Sequence, residues 1–257
     1  MNFTLNVWRQ PSGATEGCFE RYEVADIDGE ASFLEMLDVL NEQIVHDGGD
    51  AIAYDRDCME GICGSCDLLI DGIPHGPRRV TSCQTYMRDF PDGAEISVEP
   101  FRNSAFAVRR DLVVDRSPLD RIIEAGGYVS VSSGPKPEPN TNPVHPEAQE
   151  HAMDAAVCIQ CGACVAACPN GSAMLFTGAK VAHLNSLPQG EPERYDRAHN
   201  MVAQHDAEGF GGCSNHGECQ AVCPQEISIK VIGELYADYR KAMIHRLRAR
   251  RGSVKPQ

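Results

Sequence analysis

The sequence predicts an α+β protein in which a sheet-forming N-terminal part gives way to a helical one. Three observations carry this expectation. Apolar and polar residues alternate with a period of two at the start of the chain, helical spacing replaces that alternation after about residue 105, and eleven of the twelve cysteines fall into three tight groups. At 257 residues the chain is long enough for two small domains of ~100–200 residues each. The expected division is 1–105 and 106–257.

Phe3, Leu5 and Val7 place apolar side chains on one face of a first strand, and residues 19–27 (FERYEVADI) read as a second across a Gly/Pro-rich turn at 10–17. Ser32 then precedes FLEMLDVLNEQI. Its Phe33, Leu34, Leu37, Leu40 and Ile44 stand at helical spacing, Ser32 is the N-cap, and Gly48-Gly49 stops the helix. Two strands followed by a helix resemble the start of a β-grasp. A cysteine-rich loop at 55–66, a strand at 67–70, an Asp71-Gly72 turn and a closing strand at 95–98 continue it. Beyond residue 105, Leu119, Ile122 and Ile123 follow Ser117-Pro118 at helical spacing. Residues 132–146 hold five prolines, too many for a helix or sheet interior, and read as a connector. Helices are expected at 147–157, 191–207 and 227–248, the last with Ile232, Leu235, Tyr236 and Tyr239 on one side.

Charge excludes one class of partner. The formal charge is −14, and a nucleic-acid binder needs a basic face to neutralise phosphates. All seven bases from Arg240 onward lie beyond the last acid, Asp238, so the tail carries +7 and residues 1–239 carry −21. No run approaches the ~20 apolar residues of a membrane span, and no basic, apolar leader precedes Phe3. Clustered rather than scattered cysteines without such a leader imply metal ligation in a reducing compartment.

The first group is Cys58-x4-Cys63-x2-Cys66 with Cys83 seventeen positions on, the plant-type two-iron ferredoxin spacing. Gly61 and Gly64 let the loop fold tightly and aim N–H groups at the cluster sulfurs. Zinc is the alternative, but it usually takes two C-x2-4-C knuckles, and one arm here is the single Cys83. The second group, Cys158-x2-Cys161-x2-Cys164-x3-Cys168-Pro169, is the bacterial ferredoxin run, whose fourth cysteine ligates the other cluster of a two-cluster protein. The third, Cys213-x5-Cys219-x3-Cys223-Pro224, supplies the return: Cys223 completes a four-iron cluster with Cys158, Cys161 and Cys164. Cys168, Cys213 and Cys219 are then three thiolates for a cube of four corners, the ligand set of a three-iron, four-sulfide cluster. Cys18 is left over and reads as an inert thiol. His216 stands where the missing middle cysteine would be. An imidazole can bind iron, as in Rieske centres, but the expectation is a His216 close to the cluster or its acceptor without ligating.

CMEGICGSC, CIQCGACVAACP and GGCSNHGECQAVCP, in that order and at that spacing, resemble the iron–sulfur subunit of succinate dehydrogenase and fumarate reductase over nearly the whole chain. The resemblance implies a β-grasp plant-type ferredoxin domain joined to an α-helical, bacterial-ferredoxin-like domain, with 2Fe-2S, 4Fe-4S and 3Fe-4S clusters forming a wire. It also implies a partner flavoprotein whose FAD oxidises succinate, a membrane anchor that helps bind quinone, and a peripheral place on the cytoplasmic face of a bacterial membrane. The sequence agrees in having no strand–GxGxxG–helix fingerprint, so no substrate catalysis is expected in this chain.

The family's quinone-side residues carry over in part. Pro169 matches the proline after the crossover cysteine. The tryptophan five positions past that cysteine in many ubiquinone-linked members is Ala173, and the histidine after the first cysteine of the third group is Ser214; the single Trp is Trp8. Pro169, Ser214 and His216 are therefore the expected quinone-side residues, and the departures favour menaquinone. The loop His75-Gly76-Pro77-Arg78-Arg79 lengthens the usual interval before the fourth two-iron ligand and reads as a surface insertion, with cluster shielding or flavoprotein contact as alternatives. The basic tail suits either anionic lipid or the anchor, or else a solvated helix end. The rival readings are an electron-transfer subunit of another flavin oxidoreductase, whose relatives extend into Cys-Cys modules absent here, and a structural zinc protein.

Overall fold

The computed structural model describes residues 1–130 and 143–252, with side chains described to residue 249. Most of the proline-rich connector expected at 132–146 lies outside the described residues. The first elements are β1 (Phe3–Arg9), β2 (Cys18–Val24), α1 (Phe33–His46), β3 (Leu68–Ile70), β4 (Ile73–Pro74) and β5 (Glu95–Pro100). Then come β6 (Val108–Arg110), β7 (Val113–Val114) and α2 (Ser117–Gly126). The rest is helical: α3 (Pro146–Ala156), α4 (Ala163–Ala166), α5 (Met174–Asn185), α6 (Arg194–Ala207), α7 (Glu218–Ala221) and α8 (Lys230–Gly252).

These elements pack as two compact units. The first holds Met1–Arg116 with two later excursions, Ile159–Gly171 and His216–Glu226; the second holds Ser117–Cys158, Ser172–Asn215 and the chain from Ile227 onward. The boundary expected at residue 105 thus lies inside the first unit. The reason is the β6–β7 hairpin, which is tied into it: the Asp111 N–H donates to the Gln10 carbonyl at 2.8 Å and the Leu112 N–H to that of Ala53 at 3.0 Å. Strands of three and two residues with a shifted register are too short for a period to register in the sequence.

In the first unit the sheet order is β2-β1-β5-β3-β4, with β1 antiparallel to β2 and parallel to β5. This is the β-grasp arrangement. Phe3, Leu5 and Val7 join Ile96, Val98, Leu68 and Ile70 in one core with Phe33, Leu34, Met36, Leu37 and Leu40 of α1. Each such side chain, fully buried, contributes about 1.5–3 kcal/mol. Ser32 caps α1 in a capping box, accepting from the Glu35 N–H while the Glu35 carboxylate accepts from its own. Asp71 and Gly72, with φ of 51° and 75°, make the expected two-residue hairpin turn between β3 and β4.

In the second unit α5 is the central helix. Met174, Leu175, Phe176, Thr177, Gly178, Ala179, Val181, Ala182 and Asn185 are all buried. Sequence periodicity did not find it, because a helix buried on every side has no polar face to alternate with. A Cβ on Gly178 would come within 2.9 Å of the Val231 carbonyl oxygen, so this glycine is what lets α8 lie close. On α8, Ile232 and Leu235 face the core as expected, and Tyr239 stacks on His199, but Tyr236 is exposed. Arg197 of α6 is 1% exposed, and its guanidinium donates to the carbonyls of Gly126, Gly190 and Tyr128 and to Asn185 Oδ1, at 2.6–3.0 Å.

Candidate metal centres

None of the twelve cysteines, all of them among the described residues, is in a disulfide. The loop bearing Cys58, Cys63 and Cys66 has no regular structure, as a chain that must aim several N–H groups inward requires. Met59, Gly61 and Gly64 all take positive φ, at 59°, 74° and 70°. The Glu60 N–H donates to Cys58 Sγ at 3.3 Å, and the Ser65 N–H and Oγ lie 3.5 and 3.0 Å from Cys63 Sγ. Backbone bonds from Glu60 and Ile62 hold the Cys58 thiol down at about 7. Cys66 and Cys83 are buried together. The Cys66 thiol donates to Cys83 and, with Thr81 Oγ1 at 3.2 Å and the Gly61 N–H, pulls Cys83 down, while that bond and burial push Cys66 up. Among the described residues no three His, Cys, Asp or Glu side chains gather tightly enough for a single ion. Four soft thiolates ringed by amide donors are a donor set that fits a two-iron cluster.

The insertion before Cys83 is not a plain surface loop. His75 and Gly76 are buried, and only Pro77, Arg78 and Arg79 reach solvent. His75 Nδ1 lies 3.1 Å from Ser82 Oγ, and the ring meets Phe101 edge-on. Burial holds this imidazole down at about 4. It therefore stands neutral between the segments that carry Cys66 and Cys83. At the solvent end, Arg79 Nε donates to the Cys223 carbonyl at 3.3 Å, and Arg78 pairs with Asp89.

The second and third cysteine groups follow one backbone template, each position of the second recurring 55 residues later (Cys158 to Cys213, Cys168 to Cys223). Gln160 and Asn215 have φ of 58° and 59°, Gly162 and Gly217 of 83° and 89°, Gly171 and Glu226 of 59° and 55°. Gly162 and Gly217 each cap a one-turn helix, α4 and α7, whose N–H groups bond in parallel: Val165 and Ala166 to Gly162, Gln220 and Ala221 to Gly217. The Gly171 N–H closes on Cys168 and the Glu226 N–H on Cys223. On this template His216 occupies the place of Cys161. Cys161 and Cys223 are buried, whereas His216 is exposed.

Of the other expected site residues, Pro169 and Ser214 are exposed. Ala173, in place of the tryptophan, is buried, and its N–H donates to Nε2 of the fully buried His205 at 3.2 Å, with His205 Nδ1 3.0 Å from Asp206. Burial lowers the His205 pKa. Cys18 opens β2 opposite Arg9 and is exposed. Sequence reasoning missed Arg116 and Asp67. Burial pushes the Asp67 carboxyl up to about 7 against the opposing pull of Arg116.

A 2Fe-2S iron-sulfur cluster binding domain matches residues 4–121 and a 4Fe-4S dicluster domain matches 154–227. Fold and cysteine groups thus define a two-domain iron–sulfur electron-transfer protein. A fumarate reductase iron-sulfur subunit of Escherichia coli O6:H1 is 28% identical over 207 residues, 80% of this chain and 79% of that one. A succinate dehydrogenase iron-sulfur subunit of Bacillus subtilis is 27% identical over 188 residues, 69% of this chain and 68% of that one. The solved Mycobacterium smegmatis Sdh1 complex in the apo form contains a chain with the same fold, at a TM-score of 0.62 and 22% identity, covering 95% of this chain and 96% of that one. The chain is thus similar over most of its length to iron–sulfur subunits of fumarate reductase and succinate dehydrogenase.

Proposed function

We propose that the chain relays single electrons between the FAD of a partner flavoprotein and membrane quinone, through two-iron, four-iron and three-iron clusters in that order. The observation that carries this reading is the shared template of the second and third groups. It supports assigning Cys158, Cys161 and Cys164 with Cys223 to the four-iron cluster, and Cys168, Cys213 and Cys219, with a histidine in place of the fourth thiol, to the three-iron cluster. When bound, the clusters supply one-electron oxidation and reduction. The chain's own part is to hold them: Cys58, Cys63, Cys66 and Cys83 as thiolates, with the Gly61, Glu60, Ile62 and Ser65 N–H groups offsetting their charge. Dicarboxylate chemistry belongs to the flavoprotein.

At the far end, Pro169, Ser214 and His216 are the quinone-side residues, and His216 gives one of the two protons that a quinone, here menaquinone, takes up with two electrons. The chain sits on the cytoplasmic face of a bacterial membrane against an anchor subunit. Among the described residues no helix is long and apolar enough to cross a membrane, and α8 carries exposed Met243, Ile244 and Leu247 among its bases. That mixture suits contact with the anchor or with anionic headgroups.

Iron and acid-labile sulfide analysis of anaerobically purified protein tests the reading. The ligand sets call for about nine irons per chain, and paramagnetic resonance of the oxidised protein should show a three-iron signal. Zinc in their place, or a four-iron centre with an iron–imidazole bond, would overturn the assignment.

A further inference from the structure

We infer that Arg116 is a positioning residue that fastens the two-iron loop to the four-iron loop and sets the charge both clusters feel. Its Nη1 donates to the carbonyl of Gly64, between Cys63 and Cys66, and lies 3.4 and 3.3 Å from the carbonyls of Gln160 and Cys161. Its Nε is 3.3 Å from Asp67 Oδ2. One guanidinium thus holds backbone atoms from two cluster loops that lie nearly a hundred residues apart in sequence, all within the first compact unit.

The surroundings are shaped for it. A Cβ on Gly64 would come 2.2 Å from the Ile159 carbonyl oxygen, and one on Gly162 would come 3.0 Å from the Phe106 ring and 3.7 Å from Arg116 Cδ. Both glycines have positive φ, so the loops touch backbone to backbone with the arginine stem beside them. Asp67 is 1% exposed and neither of its carboxylate oxygens makes a hydrogen bond, so the charge of Arg116 is its compensation. A planar fork of N–H donors can serve several carbonyls and a carboxylate at once, which an ammonium cannot.

Two effects follow. Fixing both loops to one rigid group fixes the separation an electron must cross. A cation in a low-dielectric interior stabilises the more negative, reduced state of each nearby cluster, and Asp67 partly cancels it. The inference rests on the cluster assignment above, and metal analysis of the wild type tests that assignment separately.

The experiment uses the assembled complex at about pH 8, on the alkaline side of the carboxylate range. It combines potentiometric titration followed by paramagnetic resonance with the low-temperature spin–spin splitting between reduced clusters. Arg116→Gln should disfavour one-electron reduction of the two-iron cluster about tenfold, or about 59 mV. Asp67→Asn should shift it the opposite way, and the double variant should return toward wild type. Arg116→Lys should keep the potential but alter the splitting, because it keeps the charge and loses the fork. Wild-type potentials and splitting in an iron-replete Arg116→Gln would overturn the inference. Should that variant lose its iron, an unshifted potential in Asp67→Asn together with an unaltered splitting in Arg116→Lys would do so.

Discussion

Arg197 shows what single residues contribute to the helical unit. Its guanidinium bonds the ends of two connections and the Asn185 side chain, which itself donates to Asp238 on α8 at 2.8 Å. Arg197→Ala leaves those carbonyls buried without donors and should cost on the order of 3 kcal/mol. Thermal unfolding measures it, and Arg197→Lys should recover little, since one ammonium cannot span the same acceptors. His205 gives a pH dependence. Its folded pKa is lowered by burial, so the unfolded chain binds the proton more readily. Its contribution is fully present above about pH 6.5 and is lost as pH falls from there toward the lower folded value. His205→Gln, which keeps an acceptor for the Ala173 N–H, should flatten the melting temperature between about pH 7 and pH 5. For His216, replacement by Ala should retain the three-iron signal while slowing quinone turnover; unimpaired turnover would remove the proton-donor role. Histidines and arginines of this kind are poorly legible in sequence. Arg197 and Arg116 look like any other surface base until the fold brings distant carbonyls to them.

Among elements, legibility follows periodicity. The Ser32 capping box and the buried face of α1 stand in the sequence because a half-buried helix alternates. Ser32→Ala should cost about 1 kcal/mol in denaturant unfolding, with the slope unchanged. Helix α5 has no such alternation, and the β6–β7 hairpin is too short to show one. The cysteine loops are the opposite case. They have almost no regular structure, yet their spacing was readable because ligand chemistry dictates it. What spacing did not reveal is how tightly the loops abut. Gly64→Ala is expected to lower iron content per chain, through both its positive φ and the clash with Ile159, whereas Gly72→Ala, with a similar φ and open space around it, should not.

At the scale of the molecule, charge is divided between an acidic body and a basic end. Deleting residues 246–257 removes five of the seven terminal bases and Leu247, and should loosen retention on membranes in moderate salt. Unchanged retention would remove the proposed contact of the basic tail with the membrane. The make-up of the first unit has a consequence for how the protein is born. Its body ends at Arg116, but its excursions at 159–171 and 216–226 are synthesised only later. A ribosome that has released 130 residues has delivered a finished sheet and helix, while the backbone that will press on Gly64 and accept from Arg116 has not yet been made. The two-iron loop must wait, unsheltered, for more than thirty further residues, so a maturation factor that delivers metal during translation would meet it open. Chains arrested at 130 should accordingly be cut by protease at 63–66, the stretch around Gly64 that the full-length protein covers.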